Sequence, residues 1–355
     1  MNLKRVLQYF GILTVLLTLI PLIAKKYWWI VVFDFPHFQL TALTLISLLA
    51  FFLRFDVRSK VDVLFVVVLA GCFVFQLIKI YPFTPLAEYE ILPASESAAQ
   101  SQLTLYTANL YQKNKDSVSV FEQIEKYDTD VLVLTETNQR WTDLIMDRLK
   151  GRYEHRVSIP LENTYGMLLL SKNPLFDSHV KFIIEDSIPS IHAKMELPSK
   201  DTVQLFAIHP RPPMPDHNPK STNRDAELMK IAELSRKSKY PVIVTGDFND
   251  VAWSSTTNLF QRTSGLLDMR KGRGPFNTYS AKYPVFRWPL DHIFVSDAFR
   301  VVNLEVGNEI GSDHFPMYAE LSFETTGSHE QTIPPPTEGE LSRAERFIRR
   351  AELTD

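Results

Sequence analysis

Cysteine is nearly missing from this chain. Cys72 is the single one among 355 residues, and it sits in an apolar run. That excludes a disulfide framework and a thiolate-bound metal cluster, so stability must come from a hydrophobic core. A charge excess is missing as well: 38 Lys and Arg stand against 41 Asp and Glu, a formal net charge of −3. Such a balance supplies no global electrostatic footprint for a polyanion partner. No internal repeat period is visible, which excludes solenoids and propellers.

What the chain does have is an uneven spread of apolar residues. Residues 1–90 hold three long apolar runs, 6–24, 36–53 and 61–81, and the remainder holds none of that length. About 20 mostly apolar residues cross the hydrocarbon region of a bilayer. The first and third runs meet this directly; the second does so if it starts at Tyr27, Trp28 and Trp29, whose rings suit the lipid–water interface. Buried helices of a soluble protein are the alternative. Lys4 and Arg5 make a signal-peptide-like start, but Ala24 is followed by Lys25 and Lys26 without a small-x-small cleavage site, so the first run reads as a retained helix. Lys4, Arg5, Arg54, Arg58 and Lys60 fall on one side of three crossings, and Lys25, Lys26 and Lys79 on the other. The positive-inside rule then predicts a multi-pass protein with a cytoplasmic N-terminus and everything after residue 81 exported, periplasmic at a bacterial-type inner (plasma) membrane.

Beyond the apolar runs the texture changes. Residues 82–101, rich in Pro, Ala, Ser and Glu, read as a linker. Six short β-branched or alternating runs, 103–108, 131–134, 167–170, 203–208, 242–245 and 292–295, are strand-like, with helical stretches such as 118–126 and 225–237 between them. This alternation over 102–323 predicts an α/β layered domain. Residues 324–355 begin with a Pro-rich spacer, Pro334 to Pro336. A short basic C-terminal helix or tail follows, with a Thr337/Glu340 capping box and Arg343, Arg346, Arg349 and Arg350, read as a solvated tail or a membrane-surface segment.

Polar residues recur where the strand-like runs finish. Gly246-Asp247-Phe248-Asn249 follows one strand directly, which aims an acid and an amide at a sheet rim, although an Asx turn has the same pattern. Gly311-Ser312-Asp313-His314 sets a carboxylate beside an imidazole, fit for metal binding or proton handling, or for a polar loop. Asp291 opens another strand, where a lone acid is usually a cap. Glu136 ends the apolar run 131–134, and hard cations take such carboxylates plus water and phosphate oxygens. Asn109 and His209 end two further strands. His292 should point to the face opposite Asp291 and be a packing residue. His155, His179, His192, His217 and His329 lack a motif context.

Taken in this order, Asn109, Glu136, Tyr165-Gly166, His209, Gly246 to Asn249, Asp291 and Ser312 to His314 resemble the endonuclease/exonuclease/phosphatase superfamily, the deoxyribonuclease I-like fold. The resemblance implies a four-layered α/β sandwich, two packed sheets flanked by helices, and a metal-dependent phosphoric ester hydrolase using Mg²⁺ or Mn²⁺. It implies Glu136 as principal metal ligand, with Asn109 and Asp313 as direct or water-bridged ligands. Asp247 would orient or deprotonate the attacking water, with Asn249 on that water or a phosphate oxygen. His314, held by Asp291, would contact the phosphate, and His209 would do so on another side or protonate the leaving group. Glu136 follows Thr135 where Gln is common in that superfamily.

Three amino-terminal helices and His209-Pro210-Arg211-Pro212-Pro213 are further similar to membrane phosphatases of the VanJ type, which implies a lipid-linked substrate such as undecaprenyl pyrophosphate, with the lipid bilayer as partner. Arg211, and with it Arg224, Arg273 and Arg287, are candidate phosphate clamps or solvated surface residues. A metal-dependent extracytoplasmic nuclease is the alternative enzyme, with Trp253, Phe276 and Trp288 as candidate base stackers. Residues 100–323 carry 26 Lys and Arg against 28 Asp and Glu, a net of −2, low for duplex binding through many phosphates. A non-catalytic phosphate- or lipid-binding module is the alternative from another class.

Overall fold

The computed structural model describes residues 2–23, 26–95, 102–216 and 218–353. Lys25, His217 and residues 96–101 of the predicted linker lie outside the described residues.

Helices α1 (Leu3–Leu19), α2 (Trp28–Val31), α3 (His37–Phe51) and α4 (Lys60–Ile80) come first. With their flanking 3-10 turns, three of them form apolar rods, Leu3–Leu22, His37–Arg54 and Lys60–Phe83, each long and apolar enough to cross a membrane. They meet through hydroxyl and amide groups: the Gln76 Nε2 donates to Thr18 Oγ1 at 2.5 Å and Thr44 Oγ1 at 3.1 Å, the kind of interhelical bond lipid-embedded helices use. The second rod begins at His37 and not at Tyr27. Pro36 stands as its N-cap, and a helix cannot run through the residue before a proline without a clash, so the aromatic stretch folds into its own short turn.

The remaining chain runs β1 (Gln102–Asn109), α5 (Ser117–Tyr127), β2 (Val131–Thr135), α6 (Gln139–Arg148), β3 (His155–Ile159), β4 (Met167–Ser171), β5 (Leu175–Phe182), β6 (Pro189–Glu196), β7 (Thr202–Ile208), α7 (Thr222–Lys237), β8 (Val242–Asp247), α8 (Ser255–Ser264), β9 (Leu267–Asp268), β10 (Asp291–Val295), β11 (Phe299–Val306), β12 (Met317–Phe323) and α9 (Glu338–Glu352). Two six-stranded sheets form, in orders β11-β12-β1-β2-β4-β3 and β5-β6-β7-β8-β10-β9. Each centres on one parallel pair, β1/β2 and β7/β8, bridged by a helical crossover through α5 or α7.

Alternation along the central strands builds four layers. Leu103, Leu105, Val131 and Val133 face Leu205, Ala207, Ile243 and Ile293 of the other sheet. Their neighbours Tyr106, Ala108, Leu132 and Leu134 lie against Val120 and Ile124 of α5 and Trp141 and Ile145 of α6. Phe206, Ile208, Val244 and Phe294 lie against α7, α8 and α9. A helix–sheet–sheet–helix sandwich results, with each central strand buried on both faces.

The flanking segments are docked. Ile91 of the predicted linker enters the core between the sheets, and the Glu90 carboxylate accepts from Gln261 Nε2, Asp268 N and Lys271 Nζ at 2.5, 2.7 and 2.9 Å. The carboxy-terminal segment is a packed helix and not a solvated tail. Ala344, Phe347, Ile348 and Ala351, spaced as one helical face, are buried against α7 and α8. The Thr337/Glu340 capping box opens it.

The loop joining the first two rods binds the sandwich. The Trp28 N–H donates to Pro219 O at 2.8 Å, Trp253 Nε1 donates to Asp34 O at 2.8 Å, and Lys26 pairs with Asp225. Phe35 and Phe38 pack with Trp253, Trp288 and Phe83 in a separate apolar cluster.

Candidate active site

Strand direction gathers the polar residues. Asn109 ends β1, Glu136 follows β2, His209 follows β7 and Asp247 ends β8. Both parallel pairs thus deliver their carboxyl ends to one edge of the sandwich. The antiparallel partners start or approach there: Asp291 pairs with Asp247 in the β8–β10 ladder, and His314 lies just before β12, which runs against β1. Ligands gather at such carboxyl ends because strand termini leave polar groups and loops free to converge.

Local backbone features aim these groups. Gly246 has φ +131°, and a Cβ there would stand 2.1 Å from Ile208 O, so only glycine lets β8 run this close to β7 before Asp247. Glu136 (φ 57°) and Asn249 (φ 52°) are left-handed without being glycine. That costs about 1–2 kcal/mol for an ordinary side chain and less for Asn, strain of the sort that persists where surrounding bonds over-determine a functional group. The bonds are present. Glu136 Oε2 accepts from Gln112 N at 3.0 Å and Oε1 from Asn109 Nδ2 at 3.0 Å, and Asp247 Oδ1 accepts from Asn249 N at 2.9 Å.

Asn109 is the tie between the sheets. Its amide also donates to Asp247 Oδ2 at 3.1 Å, while its Oδ1 accepts from Tyr111 N at 2.9 Å and its backbone O accepts from Ser312 Oγ at 2.7 Å. On the other flank His314 Nδ1 lies 2.7 Å from Asp291 Oδ2, and His314 Nε2 and His209 Nε2 each lie 3.6 Å from Asp247 Oδ2. Asn109, His209, Asp247, Asp291 and His314 are all buried.

Burial and charge set the protonation states. Burial disfavours the His314 imidazolium, but the carboxylates of Asp291 and Asp247 outweigh it and the pKa is raised to about 10. His209 goes the other way: burial lowers its pKa, with Asp247 only partly opposing. Burial raises Glu136, against the bonds from Gln112 and Asn109. Burial likewise raises Asp247, helped by the nearby Asp291 charge and opposed by His314. Asp291 stays below its usual range despite burial, because His314 sits on it. The site therefore holds one imidazolium, one neutral imidazole, two acids pushed up by burial and one held down by its imidazolium partner.

The donor set fits a hard divalent cation. Asp247, Asp291 and His314 bring ligand atoms within 4.8 Å of one another, but His314 is protonated and its Nδ1 is committed to Asp291. Carboxylate oxygens are what such a cation takes, so the Glu136 and Asp247 side of the cluster suits it better than the imidazolium side, with Asn109 turning its NH2 toward both acids and its Oδ1 toward Tyr111 N.

A cavity of about 400 Å³ opens over these groups, lined by Asn109, Glu136, His209, Asp247, Asn249, Asp313 and His314. Tyr111, Tyr165 and Tyr279 add aromatic walls that strand patterning did not single out, apart from Tyr165. Asn249 turns its amide onto Pro210 O at 3.0 Å. Asp291 sits behind His314 and does not line the cavity. Trp28, Val31, Val32 and Phe35, from the loop between the membrane-type helices, line it too; local sequence around the motifs holds no sign of this.

The arginines separate. Arg211 pairs with Glu185 at 3.1 Å and lies over the Tyr165 ring, beside the cavity but not in its lining. Arg224 is buried between Asp225 and Asp250 and donates to Asn249 O at 2.7 Å, so it supports the loop after β8. Arg273 caps Ile91 O, and Arg287 lies on Ser280 O and Phe315. His292 stacks on Phe248, bonded to Arg270 and to Asp250 O.

The Endonuclease/Exonuclease/phosphatase family model matches residues 106–314. Among solved structures, D. rerio TDP2 complexed with a single strand DNA product superposes with a TM-score of 0.53 at 15% identity, over 62% of this chain and 99% of that one. The human Nocturnin catalytic domain with bound sulfate anion gives 0.50 at 18%, over 62% and 94%. An endonuclease/exonuclease/phosphatase from Beutenbergia cavernae gives 0.51 at 19%, over 63% and 72%. At these identities the likeness is one of fold. A search of curated proteins found no match.

Proposed function

The chain belongs to the endonuclease/exonuclease/phosphatase family, and from that premise we propose that it is a membrane-anchored, Mg²⁺- or Mn²⁺-dependent phosphoesterase that hydrolyses a phosphate ester or anhydride carried by a lipid, of the undecaprenyl pyrophosphate kind. One observation carries the lipid assignment: Trp28, Val31, Val32 and Phe35 share a cavity with Asp247 and His314. An apolar tail leaving the bilayer beside these residues meets an apolar wall, and its phosphate meets the polar floor. Confinement at the bilayer also raises the effective concentration of a membrane substrate. The three apolar rods and the charge pattern of their loops support an inner-membrane protein with a periplasmic catalytic domain.

Phosphoryl transfer asks protein groups mainly for positioning and charge. Glu136, with Asn109 and Asp313 at hand, would hold the cation, which when bound neutralises phosphate charge and acidifies water. The His314 imidazolium, fixed by Asp291, donates to a phosphate oxygen. Asp247, its basicity raised by burial and by Asp291, accepts the proton of the attacking water, and Asn249 keeps it oriented through its backbone N–H. Neutral His209 donates through Nε2 to the phosphate or leaving oxygen. Arg211, paired with Glu185, acts on phosphate only after exchanging that partner.

Purified full-length protein in detergent, with and without Mg²⁺, assayed on a polyisoprenyl diphosphate, other phosphorylated lipids, nucleotides and plasmid or single-stranded DNA, tests the reading. Metal-dependent phosphate release from the lipid is expected. Plasmid cleavage without lipid turnover would replace it with a nuclease, and no metal-dependent turnover of any substrate would favour a binding module.

A further inference from the structure

Helix α9 carries four Glu and four Arg, so it has no net charge, yet its charges are sorted by face. Glu340 pairs with Arg262 at 2.9 Å, Glu352 with Lys230 at 3.4 Å and Glu345 with Arg349 at 3.7 Å. Arg343, Arg346 and Arg350, spaced i, i+3 and i+7, share another face and line a cavity of about 440 Å³. The same cavity is bounded by Pro21, Leu22 and Ile23, where the first apolar rod ends. Leu16, Leu19 and Leu22 on that rod are about half exposed, as lipid-facing residues are.

The floor is polar and internally matched. Lys26 pairs with Asp225, and Arg224 lies 2.9 Å from Asp225 Oδ1 and 3.2 Å from Asp250 Oδ2. The lining holds the cationic side chains of Lys26, Arg224 and the three α9 arginines together with the carboxylates of Asp34, Asp225 and Asp250. Among the described residues Val31 alone lines both this cavity and the catalytic one.

We propose that this cavity is a second, non-catalytic site that seats the phosphate headgroup of an anionic phospholipid, with its acyl chains running down the first rod. The proposal goes beyond the catalytic reading and rests on it only in taking the rods as membrane spans. Where a lipid-facing helix ends, the neighbouring groups stand at headgroup depth, and guanidinium forks there match phosphate oxygens while their stems cover apolar surface. An anionic leaflet attracts each such arginine by a factor of about five in affinity. A lipid so held braces the loop 26–35, whose far side walls the active site. The Pro-rich spacer and the apolar face of α9 place the arginine stripe at this depth; a solvated tail would not.

The full-length protein and its Arg343→Gln/Arg346→Gln/Arg350→Gln variant, in neutral detergent doped with phosphatidylglycerol or phosphatidylcholine, are compared by native mass spectrometry, with inorganic phosphate as competitor. Wild type should retain phosphatidylglycerol over phosphatidylcholine, and the variant should lose that preference by roughly 100-fold in affinity. Matching circular-dichroism spectra of the two proteins verify the fold of the variant. Equal phosphatidylglycerol retention by the two proteins overturns the site, and so does displacement of the lipid by millimolar inorganic phosphate, which would mark a free-phosphate site. Because the readout is binding, failure of the proposed lipid-phosphate substrate leaves this result readable.

Discussion

His314 Nδ1 lies 2.7 Å from Asp291 Oδ2, with both groups buried, and Asp291 stands directly opposite Asp247 in the β8–β10 ladder. A single strand register therefore places one carboxylate behind the imidazole and another beside its free edge, and together they hold the imidazolium with a pKa of about 10.

Asp291→Asn keeps the shape and removes the charge that His314 leans on most. We expect kcat to fall by about 10²-fold or more, as for loss of one charge-stabilising donor. The alkaline limb of the rate profile should move to lower pH, because the imidazolium is no longer held. Steady-state rates across pH, with circular dichroism as fold control, check this; an unchanged profile removes the pair from the mechanism.

Glu136→Gln should raise the Mg²⁺ concentration for half-maximal activity by about 10-fold or more, since a hard cation loses its charged ligand. Chelation should silence the wild type, and Mg²⁺ or Mn²⁺ should restore it. An unaltered Mg²⁺ titration in the variant would take Glu136 out of the ligand set.

Gly166→Ala would place a Cβ 1.8 Å from Thr137 O, in the turn that carries Glu136. Backbone cannot yield there without moving the carboxylate, so we expect destabilisation of about 2 kcal/mol or more together with loss of activity. Denaturant melts read the first and rate assays the second.

Glu227 on α7 is buried, its Oε1 lacks a hydrogen-bond partner among the described residues, and burial pushes its pKa up to about 8. A carboxyl raised in the folded state stabilises fully below its unfolded pKa, near 4.5, and that contribution is lost as pH rises through about 8. Glu227→Gln should melt near the wild type at about pH 5 and above it at about pH 9. Parallel melting curves at both would show that Glu227 is solvated.

Trp28→Ala removes part of the wall contributed by the loop between the first two rods. For a lipid phosphate we expect KM to rise about 10-fold, the scale of one large buried apolar contact, with a soluble phosphodiester unaffected. A matching KM change on both substrates would mean that Trp28 merely holds the domain.

The six runs read as strands fall in β1, β2, β4, β7, β8 and β10, all of them flanked by a strand on both sides. Such strands are buried on both faces and are written as continuous apolar runs. Strands β3, β5 and β11 are sheet edges, with only one face covered, and β5 is exposed at most positions. Their mixed composition looks like loop to a local reading.

Sequence order alone determined that acids, amides and imidazoles stand where apolar runs stop, and that three rods precede them; both are local properties, written in hydrophobic periodicity and run length. Tertiary structure alone decided which groups meet. Asn109 Nδ2 bridges Glu136 and Asp247 across two sheets, Arg224 is spent on Asp250 inside the protein, and the Trp28 loop walls a cavity built by residues far along the chain. Such meetings depend on sheet pairing and on the face each strand buries, which are long-range outcomes of hydrophobic burial that no short window of residues encodes.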